Sequence, residues 1–64
     1  MKQPDINEQI QCVRREIRMR ERVYPGWVDM KRMTQAKADR ELETMRAVEK
    51  SLVELAQSQE FTLT

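Results

Sequence analysis

Apolar residues recur at helical spacing through the first third of the chain. They follow one another at intervals of four, three, four and seven positions, at Ile6, Ile10, Val13, Ile17 and Tyr24. At about 100° per residue these positions form one narrow stripe along an α-helix. A narrow stripe is typical of a helix that packs against a single neighbour, so the pattern predicts an amphipathic helix with one partner helix.

Local residue choices predict where this helix begins and ends. Asp5 followed three residues later by Glu8 is an acidic variant of the capping box, which places the helix start at about Ile6. Pro25 lacks a backbone N–H and disfavours helical geometry at the preceding residue, so the helix is expected to end near Val23. The only glycine of the chain follows at position 26. We therefore expect a break here, followed by a short helical connector.

A second amphipathic helix is predicted over residues 35–57. Thr34 is its expected N-cap, and no glycine or proline interrupts the segment. Its apolar residues cover about 140° of the helix circumference, and they are Ala38, Leu42, Met45, Val48, Leu52, Leu55 and Ala56. This stripe is wider than that of the first helix, which favours contact with two or more helices. The pattern then fades, so residues 58–64 are expected to form a frayed tail.

Together the two segments predict an all-α fold, with a single domain over residues 1–64. Because the connection is short, the helices are expected to form an antiparallel hairpin. The width of the second stripe then predicts that two hairpins associate as a homodimeric four-helix bundle. The residues expected in the core or the dimer interface are Ile6, Ile10, Val13, Ile17, Tyr24, Leu42, Met45, Val48, Leu52 and Leu55.

The size and composition of the chain strengthen the expectation of a partner. With 64 residues, one cysteine and no histidine, the chain is too small for a large core and cannot form an intrachain disulfide or a Cys/His zinc site. Oligomerisation or a protein partner is the remaining source of stability. The first residues lack the apolar run of a signal peptide, and no stretch approaches a membrane span. A cytoplasmic location without a membrane partner is therefore expected.

Charge is distributed unevenly, although the net charge is only +1. Residues 1–33 have a net charge of +3 and residues 34–64 have one of −2. Antiparallel packing of the two halves sets opposite potentials side by side, which favours pairing and register. Glu41 and Glu49 lie in or beside the apolar face of the second helix, and their expected partners are arginines such as Arg14 or Arg20.

No catalytic centre is expected, and the protein is predicted not to be an enzyme. Histidine is absent, one glycine cannot build a phosphate-binding loop, and the few Ser and Thr residues have no base to activate them. Cys12 lies on the flank of the first helix without further metal ligands, so an unreactive thiol is expected. Neither a cofactor nor a metal ion is expected.

The candidates for binding are arginines, methionines and the tryptophan. Because Arg, Met and Trp are enriched at protein interfaces, the candidate protein-binding residues are Arg15, Arg18, Met19, Arg22, Trp27 and Met30. As an alternative, basic residues contact nucleic-acid phosphates, and these would be Arg14, Arg15, Arg18, Arg22, Lys31 and Arg32. Trp27 has two interpretations. Either it closes the turn end of the hairpin with Tyr24, or it is exposed and anchors a partner.

The middle of the chain contains two distinctive blocks. One is Val-Tyr-Pro-x-Trp-Val, here Val23–Val28, and the other is Arg-Met-Thr-x-x-Lys-Ala-Asp-x-Glu, here Arg32–Glu41. With these blocks the chain resembles a group of small proteins encoded by tailed phages and prophages. The resemblance covers about residues 13–50. Lys31 stands where that group commonly has a glycine.

This resemblance implies a mode of action more than a defined activity. It implies a short, dimeric helical protein that binds a host regulatory protein in the bacterial cytoplasm, as anti-activators that occlude a transcription factor do. Two alternatives stay open. One is a small DNA-binding or transcription-regulatory phage protein that uses the arginine face of the first helix, and the other is a structural or scaffold component of the phage.

Overall fold

Two long α-helices form nearly all of the chain that the structure describes. The computed structural model describes residues 3–62. Helix α1 spans Ile6–Asp29 and helix α2 spans Gln35–Thr62. An ion pair joins Arg14, early in α1, to Glu49, late in α2, so the helices run antiparallel. The predicted all-α fold with two helices packed as a hairpin is confirmed.

Side-chain caps begin both helices where the sequence predicts them. The Asp5 carboxylate accepts a hydrogen bond from the Glu8 backbone N–H at 2.8 Å, and Asp5 has extended backbone geometry. The Thr34 hydroxyl accepts a hydrogen bond from the Lys37 backbone N–H at 3.1 Å. Each cap satisfies one of the N–H groups that have no partner within the first helical turn, which contributes about 1 kcal/mol.

The predicted end of the first helix near Val23 is wrong, because α1 continues through Pro25 to Asp29. An internal proline removes one backbone hydrogen bond. This loss is offset because Tyr24, immediately before the proline, is only 6% exposed and its burial requires helical geometry at that point. The next turn is closed normally, with the Met30 N–H donating to the carbonyl of residue 26 at 3.0 Å. The predicted connector is therefore the last turn of α1.

A Schellman motif ends α1. The Lys31 N–H donates to the Val28 carbonyl at 3.0 Å, and the Arg32 N–H donates to the Trp27 carbonyl at 2.9 Å. In this motif one residue takes the left-handed conformation, and here it is Lys31, with φ 60°. The only glycine of the chain, Gly26, lies inside α1 without a positive φ. Gly26 is therefore not the residue that breaks the helix.

Helix α2 is longer than the sequence pattern predicts. It continues to Thr62, which is five residues past the expected end at Gln57. Residues 58–62, which belong to the segment expected to fray, are therefore helical. Without glycine or proline in this segment, loss of the apolar pattern alone does not stop a helix. Residues 63 and 64 of the expected tail lie outside the described residues.

The core of the hairpin is small. The buried residues are Ile10, Ile17, Tyr24 and Ala38. The half-buried members of the predicted core are Ile6, Val13, Leu42, Met45 and Leu52. Val48 and Leu55, also predicted in the core or dimer interface, are 40% and 49% exposed in the single hairpin. They lie on the flank of α2, because a helix with one neighbour buries only a narrow stripe.

Candidate protein-binding surfaces

Two ion pairs bridge the helices on one side of the seam, which we call the back face. Arg14 Nε donates to Glu49 Oε2 at 2.6 Å, and Arg46 Nη2 donates to Glu21 Oε2 at 2.8 Å. Arg14 and Glu21 are seven residues apart, which places them on the same side of α1. All four side chains are 29–54% exposed, so each pair contributes at most about 1 kcal/mol. Glu41 and Glu49 are expected to pair with arginines such as Arg14 or Arg20, and this is confirmed for Glu49, whose partner is Arg14.

A third bridge lies on the other side of the seam, the front face, and is centred on Arg20. The Arg20 guanidinium donates to the Glu16 carboxylate at 2.9 Å and lies 3.5 Å from the Glu41 carboxylate of α2. The hydrogen bond to Glu16 raises the pKa of Arg20 above its ordinary value; desolvation opposes this effect, and Tyr24 adds to it. Glu41 therefore also pairs with one of the expected arginines, and this bridge places a permanent charge in the middle of the front face.

Apolar side chains continue the front face toward the open end of the hairpin. Val13 precedes Arg20 by seven positions on α1, and Val48 follows Glu41 by seven positions on α2. Because seven residues make nearly two helical turns and Arg20 contacts Glu41, Val13 and Val48 lie on the same face. Together with Leu52 they form the apolar part of an open groove of about 840 Å³, whose other lining residues are mostly polar and include Asp5, Glu8 and Arg15. We define the open-end patch as Val13, Val48, Leu52 and Leu55.

A second apolar surface, the turn-end stripe, lies on α1 near the turn. Its members follow at intervals of four, four and three positions, at Met19, Val23, Trp27 and Met30. These intervals place them along one side of the helix. Met19 is 37% exposed, Trp27 40% and Met30 58%, while Val23 is half-buried. The stripe is distinct from the face of α1 that packs on α2, whose buried residues are Ile10, Ile17 and Tyr24.

Trp27 is exposed on one side and supported by an aromatic ring on the other. Its ring centroid lies 5.6 Å from that of Tyr24, with an angle of 38° between the ring planes. Tyr24 is 6% exposed, whereas Trp27 keeps 40% of its surface exposed. Closure of the turn end and exposure to a partner are therefore roles of two different residues. Tyr24 belongs to the core, and Trp27 is available as an aromatic anchor with a fixed position.

Arginines differ in whether they have a carboxylate partner. Those that reach across the seam between the helices are all paired, namely Arg14, Arg20 and Arg46. Those on the outer surface of α1 are exposed and make no ion pair within the described residues, namely Arg15, Arg18 and Arg22. Lys31 and Arg32 are exposed in the turn. Arg14 is therefore a poor member of the predicted nucleic-acid surface, because Glu49 already holds its guanidinium.

Neither a metal centre nor a membrane span is present among the described residues. Cys12 is an exposed free thiol on α1. No group of three or more His, Cys, Asp or Glu side chains is placed to hold a metal ion in the part of the chain that the structure describes. Over their described residues, neither α1 nor α2 combines the length and the apolar character needed to cross a membrane.

Sequence reasoning misses Val23 as a member of the turn-end stripe. It does so because it ends the first helix at Val23, so that residues before and after Pro25 are never placed on one helix. The spacing of Met19, Val23 and Trp27 is itself the signal that identifies the stripe, provided that the helix is continued through the proline.

The chain matches no protein-family model, no curated protein and no solved structure. Its own surfaces are therefore the basis for a functional proposal. Among them the turn-end stripe stands out, because an exposed tryptophan and an exposed methionine lie together at the end of a helix, at Trp27 and Met30.

Proposed function

We propose that this hairpin is a non-enzymatic protein-binding module that acts as a homodimer and inhibits a bacterial regulatory protein. The observation that carries the proposal is the turn-end stripe, where Trp27 and Met30 are 40% and 58% exposed. Large apolar side chains grouped on one side of a helix are typical of a helix that docks in a groove of another protein. The resemblance of the Val23–Val28 and Arg32–Glu41 blocks to phage proteins supports a host regulator as the class of partner.

Chemical composition favours a protein over a small molecule as the ligand of this stripe. Trp27 presents a rigid ring, and Met19 and Met30 present flexible thioether side chains that adapt to an irregular partner surface. The stripe runs along a convex helix, whereas small-molecule sites are concave. A protein groove supplies the concave surface that this helix lacks.

Unpaired arginines border the stripe and complete the features of a protein interface. Arg15 and Arg22 lie four positions before and three positions after Met19, so both are neighbours of Met19 on the surface of α1. An interface commonly has an apolar centre with a polar rim in which arginine is enriched. We therefore propose that Arg15, Arg18 and Arg22 contact acidic groups at the edge of the partner's groove.

Affinity capture from a bacterial lysate tests this proposal. The immobilised wild-type protein is expected to retain one or two specific proteins, which are then identified by mass spectrometry. Trp27→Ala is expected to lose them, because removal of an interface anchor costs about 2 kcal/mol or more, or roughly 30-fold in affinity. Arg18→Glu should weaken capture, whereas the matched control Lys50→Glu, with the same charge change on the outer surface of α2, should not. Equal capture by wild type and Trp27→Ala would refute the role of the stripe.

Nucleic-acid binding is the second candidate, supported by the unpaired arginines on the outer surface of α1. Phosphate contacts through Arg15, Arg18 and Arg22, with Lys31 and Arg32 at the turn, would make affinity for duplex DNA fall steeply with salt. The test is a titration of DNA at several salt concentrations with wild type and an Arg15→Glu/Arg18→Glu/Arg22→Glu variant. Binding that is absent or insensitive to salt excludes this candidate.

A further inference from the structure

We propose that the open-end patch of Val13, Val48, Leu52 and Leu55 is the surface on which a second copy of the chain packs. This inference rests on the proposed function, in which the hairpin acts as a homodimer, and it assigns the interface to one half of the front face. The remainder of the hairpin, including the turn-end stripe, then stays available to a different partner.

The exposed area of the single hairpin is the first argument. Its accessible surface is 5466 Å², whereas a compact monomer of its mass of 7.7 kDa exposes about 4,300 Å². The excess is about 1,100 Å² per chain, and each partner contributes about 800 Å² to an interface of standard size. The excess exposed surface of the hairpin is therefore about as large as the area that a second copy would cover.

The thickness of the molecule is the second argument. Its extents are 51, 24 and 15 Å, so it is a single layer of two helices. Stable domains are built from at least two packed layers around one core. Among the residues whose burial the structure describes, only four are buried, and they are Ile10, Ile17, Tyr24 and Ala38. A second copy provides the missing layer.

The two faces of this layer differ in a way that selects the front face. On the back face, charged pairs lie over the seam, with Arg14 bound to Glu49 and Arg46 bound to Glu21. On the front face the Arg20–Glu41 bridge lies nearer the turn. At the open end the groove brings the apolar side chains of Val13, Val48 and Leu52 together, and the charged residues Asp5, Glu8 and Arg15 also line it. Depletion of charge at the centre is typical of protein interfaces, and homodimer interfaces are the most apolar of them. A two-fold axis through this patch sets the same apolar residues of both copies against each other.

Sizing by light scattering, with one charged substitution and its matched control, tests the interface. Wild type is expected at twice the chain mass of 7.7 kDa. Val48→Glu places a charge in the patch and is expected to shift the protein to monomer. The dissociation constant of the dimer should rise by about 100-fold or more. Ala47→Glu adds the same charge at the neighbouring exposed position, which points to the other side of α2, and should remain dimeric. A dimeric Val48→Glu overturns the proposal.

Thermal unfolding of the wild type at several protein concentrations keeps the inference testable if Val48→Glu does not fold. A dimer's midpoint rises with concentration, by about 10 °C per 100-fold for two chains of this length. Val48 is 40% exposed in the single hairpin, so a charge at this position should not unfold a monomer. If Val48→Glu unfolds and the wild-type midpoint rises with concentration, both results support burial of Val48 by a second copy. A wild type that is monomeric, with a midpoint independent of concentration, overturns the inference.

The two proposals fail separately because they use different residues. Trp27→Ala is expected to remain a dimer and to lose the captured protein. If dimerisation depends on Val48 while capture never depends on Trp27, the inference stands and the proposed inhibitor function fails. If the wild type is monomeric but capture requires Trp27, the interface is wrong and the protein-binding stripe stands.

Discussion

Gly26 and Lys31 each have the backbone conformation that is more usual for the other: the glycine is helical, and the lysine is left-handed. Gly26 lies inside α1, and a methyl group added at its α-carbon would meet no atom within 4 Å apart from its chain neighbours and the adjacent backbone of its own helix. Lys31, five residues later, takes the left-handed conformation with φ 60°, at the position of a Schellman motif that glycine most often occupies. Two opposite substitutions follow from this arrangement.

Gly26→Ala is expected to stabilise the protein by about 0.5–1 kcal/mol. Alanine restricts the unfolded chain more than glycine does and has the higher helix propensity, and here its methyl group enters open space. Urea unfolding followed by circular dichroism at one fixed protein concentration measures the change. A loss of stability on substitution would show that residue 26 is not in regular helix.

Lys31→Gly is expected to stabilise the protein by about 0.5–1 kcal/mol. Glycine adopts the left-handed conformation without the steric penalty that a side chain causes. This gain in the folded state exceeds the free-energy cost of ordering glycine, which is more flexible in the unfolded chain. The control is Lys31→Ala, which removes the same charge but keeps the Cβ atom, and should show no such gain. Equal effects of the two substitutions would assign the change to the charge and not to the backbone.

Tyr24→Ala is expected to be far more damaging to the fold than Trp27→Ala. Tyr24 is 6% exposed and Trp27 is 40% exposed. Removal of a buried aromatic ring costs about 3 kcal/mol or more, which is comparable with the whole stability that a chain of this size draws from one core. Trp27→Ala should cost about 1 kcal/mol. Circular dichroism of both variants measures how much helix each one retains. Unfolding of the protein by Trp27→Ala would contradict this prediction.

The Arg14–Glu49 pair is expected to show a coupling energy of about 0.5–1 kcal/mol in a double-mutant cycle to alanine. Its N–O distance is 2.6 Å, and it joins the two helices. Raising the salt concentration to 1 M should reduce the coupling, because both side chains are accessible to solvent. The control pair is Arg40–Glu43, at 3.4 Å with both side chains more than 70% exposed. A coupling as large in the control would mean that the bridge between helices adds nothing of its own.

Local chemistry is what the sequence predicts well in this protein. Asp5 and Thr34 are capping residues whose function depends on atoms within three residues, and both helix starts are where they are predicted. The interhelical partners of Glu41 and Glu49 are also predicted, because antiparallel packing of two helices leaves few arginines within reach. These features follow from adjacent residues, from the helix period and from the antiparallel direction of the two helices.

Tertiary contacts decide the features that the sequence does not predict. Pro25 ends a helix on its own account, but burial of Tyr24 against α2 keeps the chain helical at that point, and this is a non-local effect. Exposure of Val48 and Leu55 also lies beyond the pattern. An apolar residue at helical spacing shows that a surface is suited to burial, but it does not show which chain covers that surface.

The continuity of α1 through Pro25 means that the turn-end stripe is already ordered for the binding role proposed for it. Trp27 and Met30 lie on and directly after a helix that is already formed and anchored by buried residues on both sides of its midpoint, Ile10 and Tyr24. A partner that binds this stripe does not have to fold it, so little binding free energy is lost to ordering the backbone. Under the proposed function, a chain of 64 residues would thereby present a binding helix that is already folded before the partner arrives.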